Sequence, residues 1–226
     1  MMRAQRHGAD HGVEAGAVAA AGQDADSFGH AGTPRLNWDM VERAKKQPTF
    51  DTKRLSVRPF KLADLAALHA LYADPGNLRY WGGAAYGDIE QTRQAMRWHR
   101  AYRPRIYVMW AIEEKKSGRM IGMINYHHRH IPQNRVDVGW LILPEFQGKG
   151  LMTEAARALL RHLFDDLGVH KVEALIRSSN KPSQALARRL GFRLEGGPIR
   201  DRWFVSGLWH SVLIYGLIAG EELRSR

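Results

Sequence analysis

Cysteine is absent from the 226 residues. That excludes disulfides, thiolate metal ligands and cysteine nucleophiles, and it sets a cytoplasmic location as the expectation. Long apolar runs are missing too. No stretch reaches the ~20 residues of a membrane span, so no membrane partner is expected. The longest run, Val212 to Ala219, has the length of a buried strand. Large apolar residues are nearly absent from residues 1–34, which are rich in Ala, Gly, His and Asp. Such a segment cannot bury enough surface to offset the entropy of ordering, and a disordered tail is expected. Within it, Ala15 to Gly22 is too short, lacks Leu and follows Asp10 and Glu14, so it is not read as an export signal.

What is present is positive charge. The chain carries 34 Lys/Arg against 23 Asp/Glu, a net +11. Residues 1–50 hold six of each, so the excess lies wholly in residues 51–226. A basic domain suits nucleic acid, a polyanionic cofactor or an acidic partner, and charge alone does not choose. The expected organisation is an N-terminal extension over 1–50, with a docking helix near 37–46 around Trp38 and Val41, and one domain over 51–226. Met40 offers an alternative start.

The domain reads as α+β. A strand at Leu55 to Pro59 precedes a helix over Lys61 to Ala73, where Leu62, Leu65, Leu68 and Leu71 recur. Asp88 is placed to cap a helix reaching about Tyr102. Ile106 to Ile112 and Met120 to Tyr126 form a hairpin turning at Lys116-Ser117-Gly118. A strand over Asp137 to Leu143 leads through Gly148-Lys149-Gly150 into a helix. That helix sets Leu151, Ala155, Leu159 and Leu163 on one face and Glu154, Arg157, Arg161 and Asp165 on the other. Val172 to Ile176 is then a strand parallel to the one before. A helix over Lys181 to Leu190, a strand at Phe192 to Leu194, and a hairpin over Ile199 to Leu217 complete the order.

The turn at residues 148–150 places bare N–H groups at the positive end of a helix dipole, which suits a diphosphate. It lacks the spacing of a P-loop and the third glycine of a dinucleotide fingerprint. Gln147-Gly-Lys-Gly-Leu-Met-Thr-Glu-Ala resembles the acyl-CoA pyrophosphate loop of the GNAT superfamily of N-acetyltransferases, in its RimJ/RimL-type branch. Arg54 to Phe60, Val136 to Leu143, Asn180-Lys-Pro-Ser183 with Leu190-Gly-Phe192, and Arg200 to Tyr215 resemble further segments in the same order. Met152 departs from the Gly or Ala that the wider superfamily prefers. The resemblance implies a GNAT-like fold: a mixed, mostly antiparallel, twisted sheet of about seven strands, helices on both faces, and a cofactor cleft where strands 4 and 5 splay.

It also implies acetyl-CoA as cofactor. Gln147, Gly148, Lys149, Gly150, Leu151, Met152 and Thr153 would hold the pyrophosphate. Trp140, Leu141, Ile142 and Leu143 would pair with pantetheine, and Asn180 and Ser183 would line the far side. A backbone N–H near Leu141 would hold the thioester oxygen. Asp137 is the expected base, directly or through water; its structural alternative is a carboxylate paired with Arg or Lys. Many superfamily members place a Tyr acid seven residues after the Asn, and here that position is Ala187. Ser183 is then the candidate donor to the thiolate, or a cap of the helix. His127, His128 and His130 lack a carboxylate or Cys at ligand spacing, and no metal is expected. The implied acceptor is a primary amine, and first among these a protein N-terminal α-amine such as that of a ribosomal protein. Alternatives are a small amine (antibiotic, polyamine or amino acid), a CoA-binding sensor without turnover, and a nucleic-acid module. A monomer or homodimer is expected.

Overall fold

Alternating apolar side chains build one sheet with two apolar faces. The computed structural model describes residues 46–221; the expected tail, the docking helix apart from its last residue, and Met40 lie outside them. Eight strands follow: β1 (Phe50–Asp51), β2 (Leu55–Arg58), β3 (Val108–Glu114), β4 (Arg119–His130), β5 (Arg135–Ile142), β6 (Lys171–Arg177), β7 (Arg193–Val205) and β8 (Leu208–Ile218). The sheet order is β1-β2-β3-β4-β5-β6-β8-β7, and only β5 and β6 pair in parallel. The two-residue β1 raises the expected count of about seven, so the anticipated fourth strand is β5 here. Packing also begins before Asp51: Gln47 donates to the Met109 carbonyl at 2.7 Å, and Phe50 stacks on Trp110.

The helices are α1 (Leu65–Ala73), α2 (Pro75–Leu78), α3 (Ile89–His99), α4 (Leu151–Arg161) and α5 (Lys181–Arg189). The helix expected from Lys61 begins instead as a tight 3₁₀ turn, Leu62–Asp64. Asp64 explains it. Its carboxylate accepts from the Lys61 N–H and from both Arg58 terminal nitrogens at 2.7–2.8 Å, which draws the turn onto the end of β2. Leu62 is left exposed as a result. Asp88 caps α3 through the Gln91 N–H at 2.9 Å, and that helix stops at His99, short of the expected Tyr102. His99 is buried between the Tyr72 and Tyr107 hydroxyls, at 2.7 and 2.9 Å. The strands expected at Phe192 and Ile199 are one long β7 whose register against β8 shifts three times.

Alternation then sorts the faces. Val108, Trp110 and Ile112 of β3 join Val172, Ala174 and Ile176 of β6 in a core under α4 and α5. Met109 and Ala111 point the other way, to Leu68, Leu71 and Met96 of α1 and α3. Leu151, Ala155, Leu159 and Leu163 are all buried, as the period predicts. Each such leucine contributes about 1.5–3 kcal/mol of burial. Between the faces the sheet opens. The β5–β6 ladder runs only from Arg135↔Lys171 to Asp137↔Glu173, yet the strands continue to Ile142 and Arg177. That leaves a wedge-shaped cleft of about 1460 Å³.

Candidate active site

The cleft's first wall is the turn into α4. Gly148 and Gly150 take φ of 72° and 73°, the left-handed region where a side chain is strained. The N–H groups of Leu151, Met152 and Thr153 have no intrahelical acceptor by the geometry of a helix start. Arg54 braces the turn from behind: its Nη1 donates to the Lys149 carbonyl at 2.9 Å, and its Nε donates to Glu154 at 2.6 Å. Burial opposes ionisation of Glu154, but bonds from Thr52 and Arg54 hold its carboxyl below the usual range. The turn is thus fixed before any ligand arrives, with Arg157 and Arg189 beside it in the lining. A diphosphate fits these residues.

The second wall is the free edge of β5. The Leu143 N–H donates to the Ile121 carbonyl, and by alternation the Leu141 N–H also faces β4. The groups turned into the cleft are therefore those of Trp140 and Ile142, which flank Leu141. The Ile142 carbonyl confirms the sense, since it accepts from Gln147 Nε2 at 3.3 Å. Of the residues expected to hold cofactor, Trp140, Leu141, Ile142, Gln147, Gly148, Gly150, Leu151, Met152, Thr153, Asn180 and Ser183 all line the cleft. Leu143 and Lys149 do not. Leu143 packs into the core below α1, and the Lys149 ammonium lies 5.4 Å from the centre of the Phe146 ring.

The third wall is the start of α5. Asn180 Oδ1 accepts from the Ser183 N–H at 3.1 Å, so it caps this helix. Ser183 Oγ in turn accepts from the Trp140 indole N–H at 3.2 Å across the wedge. With one lone pair taken, the Ser183 proton is free to point into the cleft. Glu145 sits exposed in the turn after β5.

The fourth wall lies on the opposite face of the sheet, below α2. Asp137 is 6% exposed there, and its Oδ2 accepts from His128 Nδ1 at 3.1 Å. Arg135 is 4.0 Å from Oδ1 and bound more closely to Glu173. Oδ1 itself is buried without a hydrogen-bond partner, as are Asn125 Oδ1 and Asn77 Oδ1. His127 and His128 come with Asp137, their ligand atoms all within 4.8 Å. A β-bulge between His127 and His130 makes this grouping, and sequence spacing could not show it. The bond to Asp137 raises the His128 pKa. Burial and the His128 charge lower His127 to about 4. Trp81 closes this wall at Gly139, where an added Cβ would meet Asn125 Oδ1 at 2.6 Å and the indole at 3.5 Å. Asn77, Asn125 and Arg177 were not expected from sequence, and His128, read there without a carboxylate, is brought to Asp137; each is buried or positioned by contacts across more than twenty residues of chain or by a bulge.

A cofactor wedge with a helix-start anion site on one face and buried acceptors on the other is what an acyl transfer between two substrates requires. Residues 54–193 match the acetyltransferase (GNAT) domain family. The chain belongs to the GNAT acetyltransferases. It is similar to the putative ribosomal N-acetyltransferase YdaF of Bacillus subtilis, 35% identical over 105 residues, which are 46% of this chain and 57% of that protein. It is also similar to spermidine N(1)-acetyltransferase of Escherichia coli, 24% identical over 159 residues, covering 70% of this chain and 83% of that one. The solved structure of a putative ribosomal-protein-serine acetyltransferase from Vibrio cholerae superposes with TM-score 0.66 at 21% identity, over 76% of this chain and 98% of that one. At that identity the likeness speaks for the fold. As a GNAT enzyme, this protein is an acetyl-CoA-dependent N-acetyltransferase, and the relatives agree with the RimJ/RimL-type branch.

Proposed function

We propose that this acetyltransferase acts on a protein N-terminal α-amine, with Asp137 as proton acceptor and Ser183 as hydrogen-bond donor to the departing sulfur. The observation that carries the choice is the modest basicity of the acceptor wall. Its proton acceptors are a carboxylate already bonded to His128 and a His127 imidazole lowered to about 4. A lysine-type amine, with pKa near ~10.4, would be almost wholly protonated at neutral pH, whereas an α-amine near ~7.7–8.0 loses its proton readily. Weak bases therefore match an α-amine and not a polyamine.

Bound acetyl-CoA would supply the acetyl group, and as the new C–N bond forms and the C–S bond breaks, CoA would depart as its thiolate. The residues of the chain do the rest. One cleft-facing backbone N–H of β5, at Trp140 or Ile142, donates to the thioester oxygen, which gains charge, because the two lie ~6.5 Å apart along the strand. Asn77, Asn125 and Asp137 line the cleft where the amine would sit, and orienting its lone pair requires their buried, unpartnered oxygens to turn toward it. Asp137 takes the proton, with His128 holding its carboxylate in place. Ser183, fixed by the Trp140 indole, donates to the sulfur where Ala187 leaves no phenol. Holding the two substrates in register supplies much of the acceleration. Thiol release on an acceptor panel tests the reading: N-terminal peptides should be turned over and spermidine should not. Spermidine turnover with silent peptides would contradict it. The domain is read as residues 51–226 together with the packed stretch from Gln47.

A further inference from the structure

Arg177 ends β6 and is 5% exposed. Its Nη1 donates to the Arg79 carbonyl at 2.8 Å and lies 3.4 Å from His210 Nε2, while its Nε has no partner. Among the described residues it forms no ion pair, and burial lowers its pKa, with only the Tyr80 phenol opposing. A buried guanidinium with five donors and no anion is costly unless something else supplies the anion.

The strand's alternation says where that anion comes from. Val172, Ala174 and Ile176 face the core under α4, so Glu173, Leu175 and Arg177 face the other way. The cofactor's phosphate site is at the start of α4, and Arg177 is on the opposite, acceptor face. Charge there is one-sided. Arg79 and Arg202 line the same part of the cleft and form no ion pair among the described residues. The acids lining that wall, Asp137 and Glu173, are already held by His128, Arg135 and Lys171. The same wall holds Asn77, Asn125 and Asp137, each with a buried, unpartnered oxygen. One wall thus sets hydrogen-bond acceptors beside a buried cation that lacks an anion.

We infer that the acceptor of this enzyme is an amine that also carries a carboxylate, which Arg177 binds, with Arg79 and Arg202 guiding it in. This rests on the α-amine reading and narrows it to an acidic N-terminus. A polyamine is excluded by the same charges, since its further ammonium groups would meet Arg177.

The test uses the full chain, acetyl-CoA and four acceptors: two peptide amides identical except for Asp-Glu or Asn-Gln at positions two and three, free aspartate, and spermidine. The acidic peptide should exceed its amide twin by about tenfold in kcat/KM, in line with a charge-assisted hydrogen bond. Arg177→Gln should erase that preference while acetyl-CoA affinity, measured by calorimetry, stays within about twofold. If Arg177→Gln does not fold, the wild-type comparison of the twin peptides decides alone. Equal turnover of the twins overturns the inference and leaves the α-amine reading standing. Turnover of aspartate with both peptides silent supports the carboxylate and overturns the protein substrate. Spermidine as the best acceptor overturns both, and a large loss of acetyl-CoA affinity in Arg177→Gln would make the cofactor the source of the anion.

Discussion

Asp137 carries the most weight of any residue. It is buried, touches His128, and has one oxygen without a hydrogen-bond partner. Asp137→Asn keeps the size and removes the proposed base, so kcat should fall by roughly 10²–10⁴ with the KM for acetyl-CoA unchanged. A loss below about threefold would take Asp137 out of the mechanism. His128 is held by the same bond, and its raised pKa should return toward the ordinary histidine value in that variant, which proton NMR titration can follow. Gly150 makes a different point. An added Cβ there finds open room, with Arg54 Nη2 at 3.6 Å, so the penalty is the left-handed backbone and what a longer side chain would cover. Gly150→Glu should abolish acetyl-CoA binding in calorimetry by placing charge at the phosphate site, with folding intact by circular dichroism. The Gly148–Thr153 turn and Ser183 were legible in the sequence because short spacing defines them. Arg177 and the grouping of Asn77 and Asn125 with Asp137 were not, because they converge from α2, β4, β5 and β6.

Two elements decide how the walls are held. The Arg58–Asp64 pair is buried, with side chains 7% and 6% exposed, and Glu113 closes it from β3. It joins the end of β2 to the turn before α1, and so sets the helices over the acceptor face. Asp64→Ala leaves a buried guanidinium with half its partners, and a loss of about 3–5 kcal/mol in chemical denaturation is expected. Helix α5 is held more lightly. Asn180→Ala removes a single cap and should cost about 1 kcal/mol. The strand–turn–helix–strand order from β5 to β6 could be read directly, since a helix period between two apolar strands admits few alternatives. The boundaries that moved did so for tertiary reasons. Asp64 tightened the turn before α1, the Tyr72–His99–Tyr107 contact marks where α3 stops, and β1 exists because Phe50 packs on Trp110.

At the scale of the whole molecule, neutral buried histidines set the acid limit. Burial lowers His99 to about 4 and, with the charge of His128, His127 to about 4; burial lowers His162 as well. Unfolded imidazoles titrate near ~6.5, so between these values the unfolded chain binds more protons. Stability should therefore fall as pH drops from about 6.5 to about 4, by on the order of 3 kcal/mol from His99 alone. His128, raised and largely exposed, acts weakly in the opposite sense. Denaturation midpoints at pH 7.5 and pH 4.5 would show the difference, and equal midpoints would contradict buried neutral imidazoles. The net charge of +11 had left nucleic acid, cofactor and acidic partner open. The fold sets basic residues both at the turn before α4, the proposed phosphate site, and on the wall across the sheet proposed for the acceptor, which alternation along β6 separates. The most direct test of the account is where the acetyl group lands. A peptide bearing a free α-amine, acidic second and third residues and one internal lysine is incubated with enzyme and acetyl-CoA, then sequenced by tandem mass spectrometry. One acetyl on the α-amine and none on the lysine is the predicted result. Acetylation of the lysine with the α-amine left free would contradict it.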